Sequence, residues 1–185
     1  DSMNYKRITI FAKDTQNDMK RFIGHTILIL LAEIFLFCPI TMSQNNPYKI
    51  NDQLYSYYQK CNSAIRKPEV LLMADTLFHM AKKKGDVKAQ CLALNLKSDH
   101  YYFINDINTL LIEKEKVADF ARNTPYKQYI FGAWNRIITY YLRNREYDSA
   151  IQELKKYQDE AIRLDNPYGI GKSYVRMGDV YYQQR

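Results

Sequence analysis

The sequence repeats itself at a step of 40 residues. Leu94, Trp134 and Tyr174 stand in register, as do Ala93, Ala133 and Ser173, then Ser98, Ile138 and Gly178, then Tyr101, Tyr141 and Tyr181. A second set keeps the same step: Val70, Leu110 and Ala150, then Leu77, Val117 and Tyr157, then Ala81, Ala121 and Ala161. Within one period, Trp134, Ile137, Ile138 and Tyr141 recur at i, i+3, i+4 and i+7, and Ala150, Leu154 and Tyr157 at i, i+4 and i+7. Each set is an apolar stripe on one helical face. The polar stretch 144–149 between them is short enough to be a turn. The unit is therefore a helical hairpin, which cannot bury its own faces and must stack on copies of itself. Self-similarity at this period is the signature of a solenoid, an all-α chain of antiparallel helix pairs.

The pair of helices in the stretch 134–157 resembles a tetratricopeptide (TPR) repeat. Trp134, Ile138 and Tyr141 stand where that family places Trp, Gly and Tyr on its first (A) helix, and Ala150 and Leu154 where it places Ala and Phe on its second (B) helix. Met177-Gly178 and Tyr181 match the family's A helix best. The family period is about 34 residues, so the hairpins here resemble a longer-helix variety. The resemblance implies a right-handed α-α superhelix.

Prolines and glycines punctuate the layout. Pro68, Gly85, Pro125 and Pro167 fall at joints, where a missing donor or a left-handed residue ends a helix. Repeat one is expected at 51–85, with its A helix at 51–63 and its B helix at 68–84; repeat two at 86–124; repeat three at 125–166; and a truncated fourth at 167–185. An A helix without its B partner leaves Met177, Val180 and Tyr181 uncovered, so the chain is expected to be the N-terminal part of something longer.

Ahead of the repeats lie two other segments. Residues 1–18 open on Asp1 and hold only the short apolar run 8–12, too short for a helix that stands alone. They are expected to be disordered or to precede the true start at Met19. From Met19 the pattern is that of a targeting segment: Lys20 and Arg21, then a mostly apolar stretch at 22–40, then Thr41-Met42-Ser43. Small residues at 41 and 43 suit cleavage after Ser43, while the length of the apolar run also suits a retained anchor. Glu33 and His25 inside the run are costly in lipid. Phe37 before Cys38 argues against a lipoprotein signal. Either way the repeats are expected outside the inner membrane, periplasmic or anchored facing the periplasm.

Charge and cysteine usage narrow the function. Of 27 basic and 20 acidic residues, 22 and 16 follow residue 43. They are scattered, apart from Lys82-Lys83-Lys84, which ends a B helix where cations complement the helix dipole. No nucleic-acid partner is expected. Cys61 and Cys91 fall at different positions of successive A helices, so stacking leaves them as free buried thiols. His25, His79 and His100 lack a partner at metal-ligand spacing, and there is no phosphate loop or nucleophile elbow. No catalytic residue, metal or cofactor is expected, and the chain reads as a binding module.

The resemblance also implies where it would bind. In TPR stacks the A helices line a concave groove, and the matching positions here are Asn95, Asp99, Tyr102 and Phe103 in repeat two, Asn135, Arg136, Thr139 and Arg143 in repeat three, and Lys172, Arg176, Asp179 and Tyr182 in repeat four. Asn95 and Asn135 share a slot, and an amide can both donate to and accept from the backbone of an extended peptide. Lys172 and Arg176 resemble the last-repeat basic pair of carboxylate-clamp TPR domains, but the clamp's first-repeat Lys and Asn have no equivalent. A leader followed by long TPR-like repeats is similar to the sensor region of Bacteroidetes-type TPR sensor histidine kinases and related two-component regulators. That similarity implies a protein or peptide partner, attachment to the membrane, and a signalling output further along the gene. A free-standing periplasmic scaffold is the alternative, and oligomerisation stays open.

Overall fold

A computed structural model of the chain describes residues 45–184, and the expectations for the segments 1–18 and 19–43 fall outside them. The chain divides between Asn45 and Asn46 into two units, and the described helices belong to the second. They are α1 (Asp52–Ser63), α2 (Glu69–Lys83), α3 (Val87–Phe103), α4 (Ile107–Ala121), α5 (Gln128–Arg143), α6 (Tyr147–Arg163) and α7 (Pro167–Gln183). The described residues contain no strand, and the fold is all-α. Each helix packs on the next, and in addition α1 packs on α3, α3 on α5 and α5 on α7. The odd-numbered A helices thus form a continuous row, with the B helices α2, α4 and α6 laid along one side of it.

The joints explain why the helices stop where they do. Gly85, Asn105, Arg145 and Asp165 all have positive φ, between 46° and 68°. At each, the following amide reaches back to the helix: Asp86 to the Ala81 carbonyl, Asp106 to Tyr101, Glu146 to Tyr141 and Asn166 to Ala161, at 2.8–3.0 Å. This left-handed C-cap satisfies carbonyls that the helix end would orphan. The residue that closes one helix then opens the next. The side chains of Asp86, Asp106 and Asn166 accept from the amides of Ala89, Thr109 and Gly169, an N-cap made three residues after the previous helix ends. One joint differs. Pro125 stands where the register calls for the left-handed residue, and proline cannot reach positive φ. There the chain turns through Thr124, whose hydroxyl accepts from the Tyr126 amide at 3.1 Å.

Two clusters of buried side chains meet along α3. Leu54, Val70, Leu77 and Ala81 pack with Leu92, Ala93 and Leu96 on one side of it. Leu110, Phe131, Trp134, Ile138, Leu154, Tyr157 and Val180 pack with Cys91 on the other. Every member of the 70–110–150, 77–117–157 and 81–121–161 sets is buried. Cys61 and Cys91 are free buried thiols, and burial pushes both up to about 11. His100 is a buried structural histidine whose Nδ1–H donates to the Ile65 carbonyl at 2.7 Å, tying the α1–α2 turn to α3.

The last helix is half covered. Tyr174 is 63% exposed and Tyr181 55%, where their register mates Trp134 and Tyr141 are buried or half-buried. Val180 corrects the expectation that the whole stripe lies open: it is fully buried in the cluster that includes Leu154 and Tyr157. The residue lies on the side of α7 that faces α6, the B helix before it, not the side a following helix would cover.

Candidate functional site

The A-helix row holds a cleft of about 380 Å³ that all four A helices border. Tyr58 of α1, Leu92, Asn95 and Asp99 of α3, Gln128, Tyr129, Gly132 and Arg136 of α5, and Tyr168 of α7 line it, with Tyr48 from the segment before α1. Four tyrosines thus face a floor of amide, carboxylate and guanidinium. Tyr48 and Tyr58 stack edge to face at 5.2 Å, and their hydroxyls lie 3.3 Å apart. Burial, then the hydrogen bond to Tyr48, pushes the Tyr58 phenol far above its ordinary range, and burial does the same to Tyr129. Both stay neutral donors at any physiological pH. Gly132 is what lets the floor close up. A Cβ there would lie 3.3 Å from Oδ1 of Asn95, so any side chain would fill the cleft or push Asn95 aside.

The polar residues expected to face a ligand are partly spent on one another. Arg136 donates through Nε to Oδ1 of Asp99 at 2.5 Å, from α5 to α3. Burial disfavours the Arg136 charge, but the Asp99 hydrogen bond and charge outweigh it and raise the pKa above the ordinary guanidinium value. One period later Arg176 repeats the gesture, from α7 to α5, with Thr139 accepting at 3.3 Å where Asp99 stood. Arg176 also donates to Oδ1 of Asn135 at 2.6 Å and pairs with Asp179 at 3.0 Å. The two arginines are rungs between neighbouring A helices. Thr139 in turn donates to the Asn135 carbonyl.

The shared slot of Asn95 and Asn135 is used in two ways. Asn95 donates to the carbonyls of Cys91 and Tyr129 and keeps its oxygen at the cleft, while Asn135 accepts from Arg176. Tyr102 lies under two guanidiniums, Arg136 at 5.7 Å and Arg143 at 5.1 Å. Arg143 also donates to Oδ1 of Asn105. Lys172 forms no ion pair among the described residues, so the basic pair one turn apart on α7 is one anchored arginine and one loose lysine. Of the expected positions, Asn95, Asp99 and Arg136 line the cleft, and Asn135, Thr139, Arg176 and Asp179 form the next rung.

Several site residues escape sequence reasoning. Tyr48, Tyr129 and Tyr168 sit near the starts of A helices or ahead of them, outside the stripe that the register picks out. The clue available was composition: 17 tyrosines against 8 phenylalanines is an excess of rings with a polar tip, which suit half-wet walls. Among the described residues, no three of His, Cys, Asp and Glu converge as metal ligands, and no helix is long and apolar enough to cross a membrane. Comparison of the chain with protein-family models, with curated proteins and with solved structures gave no match.

Proposed function

We propose that residues 51–185 are a right-handed superhelix of TPR-like hairpins that binds an extended segment of a peptide or protein along its A helices. The cleft carries this reading. It crosses successive A helices instead of sitting within one hairpin, which suits an elongated ligand. Its tyrosine walls offer large contact area at low entropic cost. The free oxygen of Asn95 and the Asp99–Arg136 pair offer fixed polar partners for a peptide backbone. Arginine rungs from α5 to α3 and from α7 to α5 hold these groups in one register.

A peptide array probed with the full chain tests the binding. Wild-type protein should retain a subset of extended peptides, and Gly132→Leu, which places a side chain in the cleft, should lose them while unfolding at a similar temperature. No retained peptide, or a subset that ignores Gly132→Leu, would refute it. The leader at 19–43 and the likeness to sensor-kinase receptors extend the proposal to an exported module that reports a bound ligand to a membrane-linked signalling output. An alkaline phosphatase fusion after Tyr48 should be active outside the inner membrane; activity gained only by adding a foreign leader refutes export.

A further inference from the structure

The C-terminal ends of α3 and α5 carry a stack of rings and guanidiniums that the cleft does not use. Arg66, from the turn after α1, lies over Phe103 at 5.1 Å. Phe103 packs edge to face on Tyr102 at 5.3 Å, Tyr102 lies under Arg143 at 5.1 Å, and Arg143 reaches Tyr140 at 5.9 Å. The five groups form an unbroken run, with the Phe103–Tyr102 ring pair between the two guanidiniums. Arg66, Phe103 and Arg143 are exposed, and Ile104 beside them is 46% exposed.

We infer that this stack is a docking surface for an acidic peptide segment. The first reason is unspent charge. Neither Arg66 nor Arg143 has an ion pair among the described residues, and the hydrogen bond Arg143 makes is to the neutral side chain of Asn105. The acids nearby are occupied: Asp99 pairs with Arg136, and Asp106 caps α4 through the Thr109 amide and hydroxyl. The second reason is geometry. A guanidinium held over a ring face keeps N–H groups left to donate, and the guanidinium fork fits a carboxylate with two parallel hydrogen bonds. Stacking fixes the fork in advance, so little side-chain entropy remains to be lost on binding. The third is continuity: Arg136 borders both the cleft and Tyr102. Phe103 lies one helical turn beyond Asp99, about 6 Å along α3. An extended chain covers that distance in about two residues. The surface does not require the cleft to be filled.

Fluorescence anisotropy with the full chain and labelled hexaglutamate at low salt tests this surface. Wild type should bind hexaglutamate and not hexalysine. Arg66→Gln with Arg143→Gln should weaken binding at least about tenfold, the loss of one or two charge-assisted bonds. Arg145→Gln, an exposed arginine outside the stack, should change it less than about twofold. Arg66→Lys with Arg143→Lys keeps the charge without the fork and should fall between, which holds the test open if the glutamine pair unfolds. Equal binding by wild type and either double variant overturns the proposal, as does equal loss in Arg145→Gln. Displacement by inorganic phosphate at the peptide's own concentration would make it a phosphate site, and tighter binding of a single-stranded oligonucleotide would make it a nucleic-acid surface; either result overturns it.

Discussion

Trp134 is held from both sides by charged groups on helices other than its own. Its indole N–H donates to Oε2 of Glu153 on α6 at 2.9 Å, and the Lys114 ammonium of α4 lies 4.2 Å from the ring centre. Tyr157 closes the remaining side at 5.8 Å between ring centres. Trp134→Ala should cost about 3–5 kcal/mol in urea unfolding, in the range for large buried aromatics. Glu153→Leu should cost about 1–3 kcal/mol, because it buries an unpaired indole donor. Glu153→Gln keeps an acceptor oxygen and should cost less than Glu153→Leu. The apolar stripe named Trp134 as a core residue, since periodicity tells which face is buried. It could not name Lys114 or Glu153, because nothing in a helical period tells which polar tip arrives from another helix. Glu160 poses the same difficulty. Arg163 on its own helix and, less strongly, Arg122 across from α4 hold its carboxyl below the ordinary value of 4.5, against the opposing effect of burial. A lowered folded-state pKa adds stability above the unfolded value, which is lost as pH falls through the folded one. Unfolding free energy should therefore decline as pH drops below about 4.5, and Glu160→Gln should flatten that decline. An unchanged slope in the variant would assign the acid sensitivity elsewhere.

At the scale of a helix and its joint, one design recurs with a single flaw. Three of the four left-handed joints pass to an N-cap that works, but Glu146 caps α6 without a side-chain hydrogen bond. A glutamate is one methylene too long to reach back to the amides of its own first turn. Glu146→Asp should supply the missing bond and stabilise the chain by about 0.5–1 kcal/mol in chemical denaturation. Gly85→Ala tests the joint from the other side. Nothing lies within 4 Å of the added Cβ, so the cost is that of the left-handed backbone alone, about 1–2 kcal/mol. An alanine variant as stable as wild type would show that this joint relaxes out of its positive φ. Gly85 and Pro125 could be read as punctuation from the sequence. Asn105, Arg145 and Asp165 could not: asparagine and aspartate tolerate positive φ but occur all along the chain, and arginine has no preference for it. The two helices whose bounds were expected from the sequence, 51–63 and 68–84, fall within one residue at each end of α1 and α2.

For the molecule as a whole, the division of the core along α3 sets how stability is shared. Leu92, Ala93 and Leu96 face the N-terminal cluster and Cys91 the C-terminal one, and Tyr129 is the partly buried side chain packed against both. Stability in such a row comes from each hairpin and its contacts with its neighbours. The loss of one core side chain should then stay local. Leu77 is fully buried in the N-terminal cluster, and Leu77→Ala should cost about 2–5 kcal/mol where it packs. Native-state hydrogen exchange should report that cost in the amides of α1, α2 and α3 and only weakly in α6. Leu154→Ala, in the C-terminal cluster, should give the mirror image. The sequence register implied this neighbour-only arrangement, because each stripe repeats without any longer-range pattern linking the first hairpin to the last. What it did not carry was the pairing of groove residues across A helices: the Asp99–Arg136 and Thr139–Arg176 contacts span 37 residues, three short of the register. Each partner thus lies nearly one turn further toward the C-terminus of the preceding A helix than the arginine's register mate, an offset that a 40-residue step does not encode. Protection lost evenly across all seven helices on Leu77→Ala would mean one cooperative core, and the neighbour-only picture would fail.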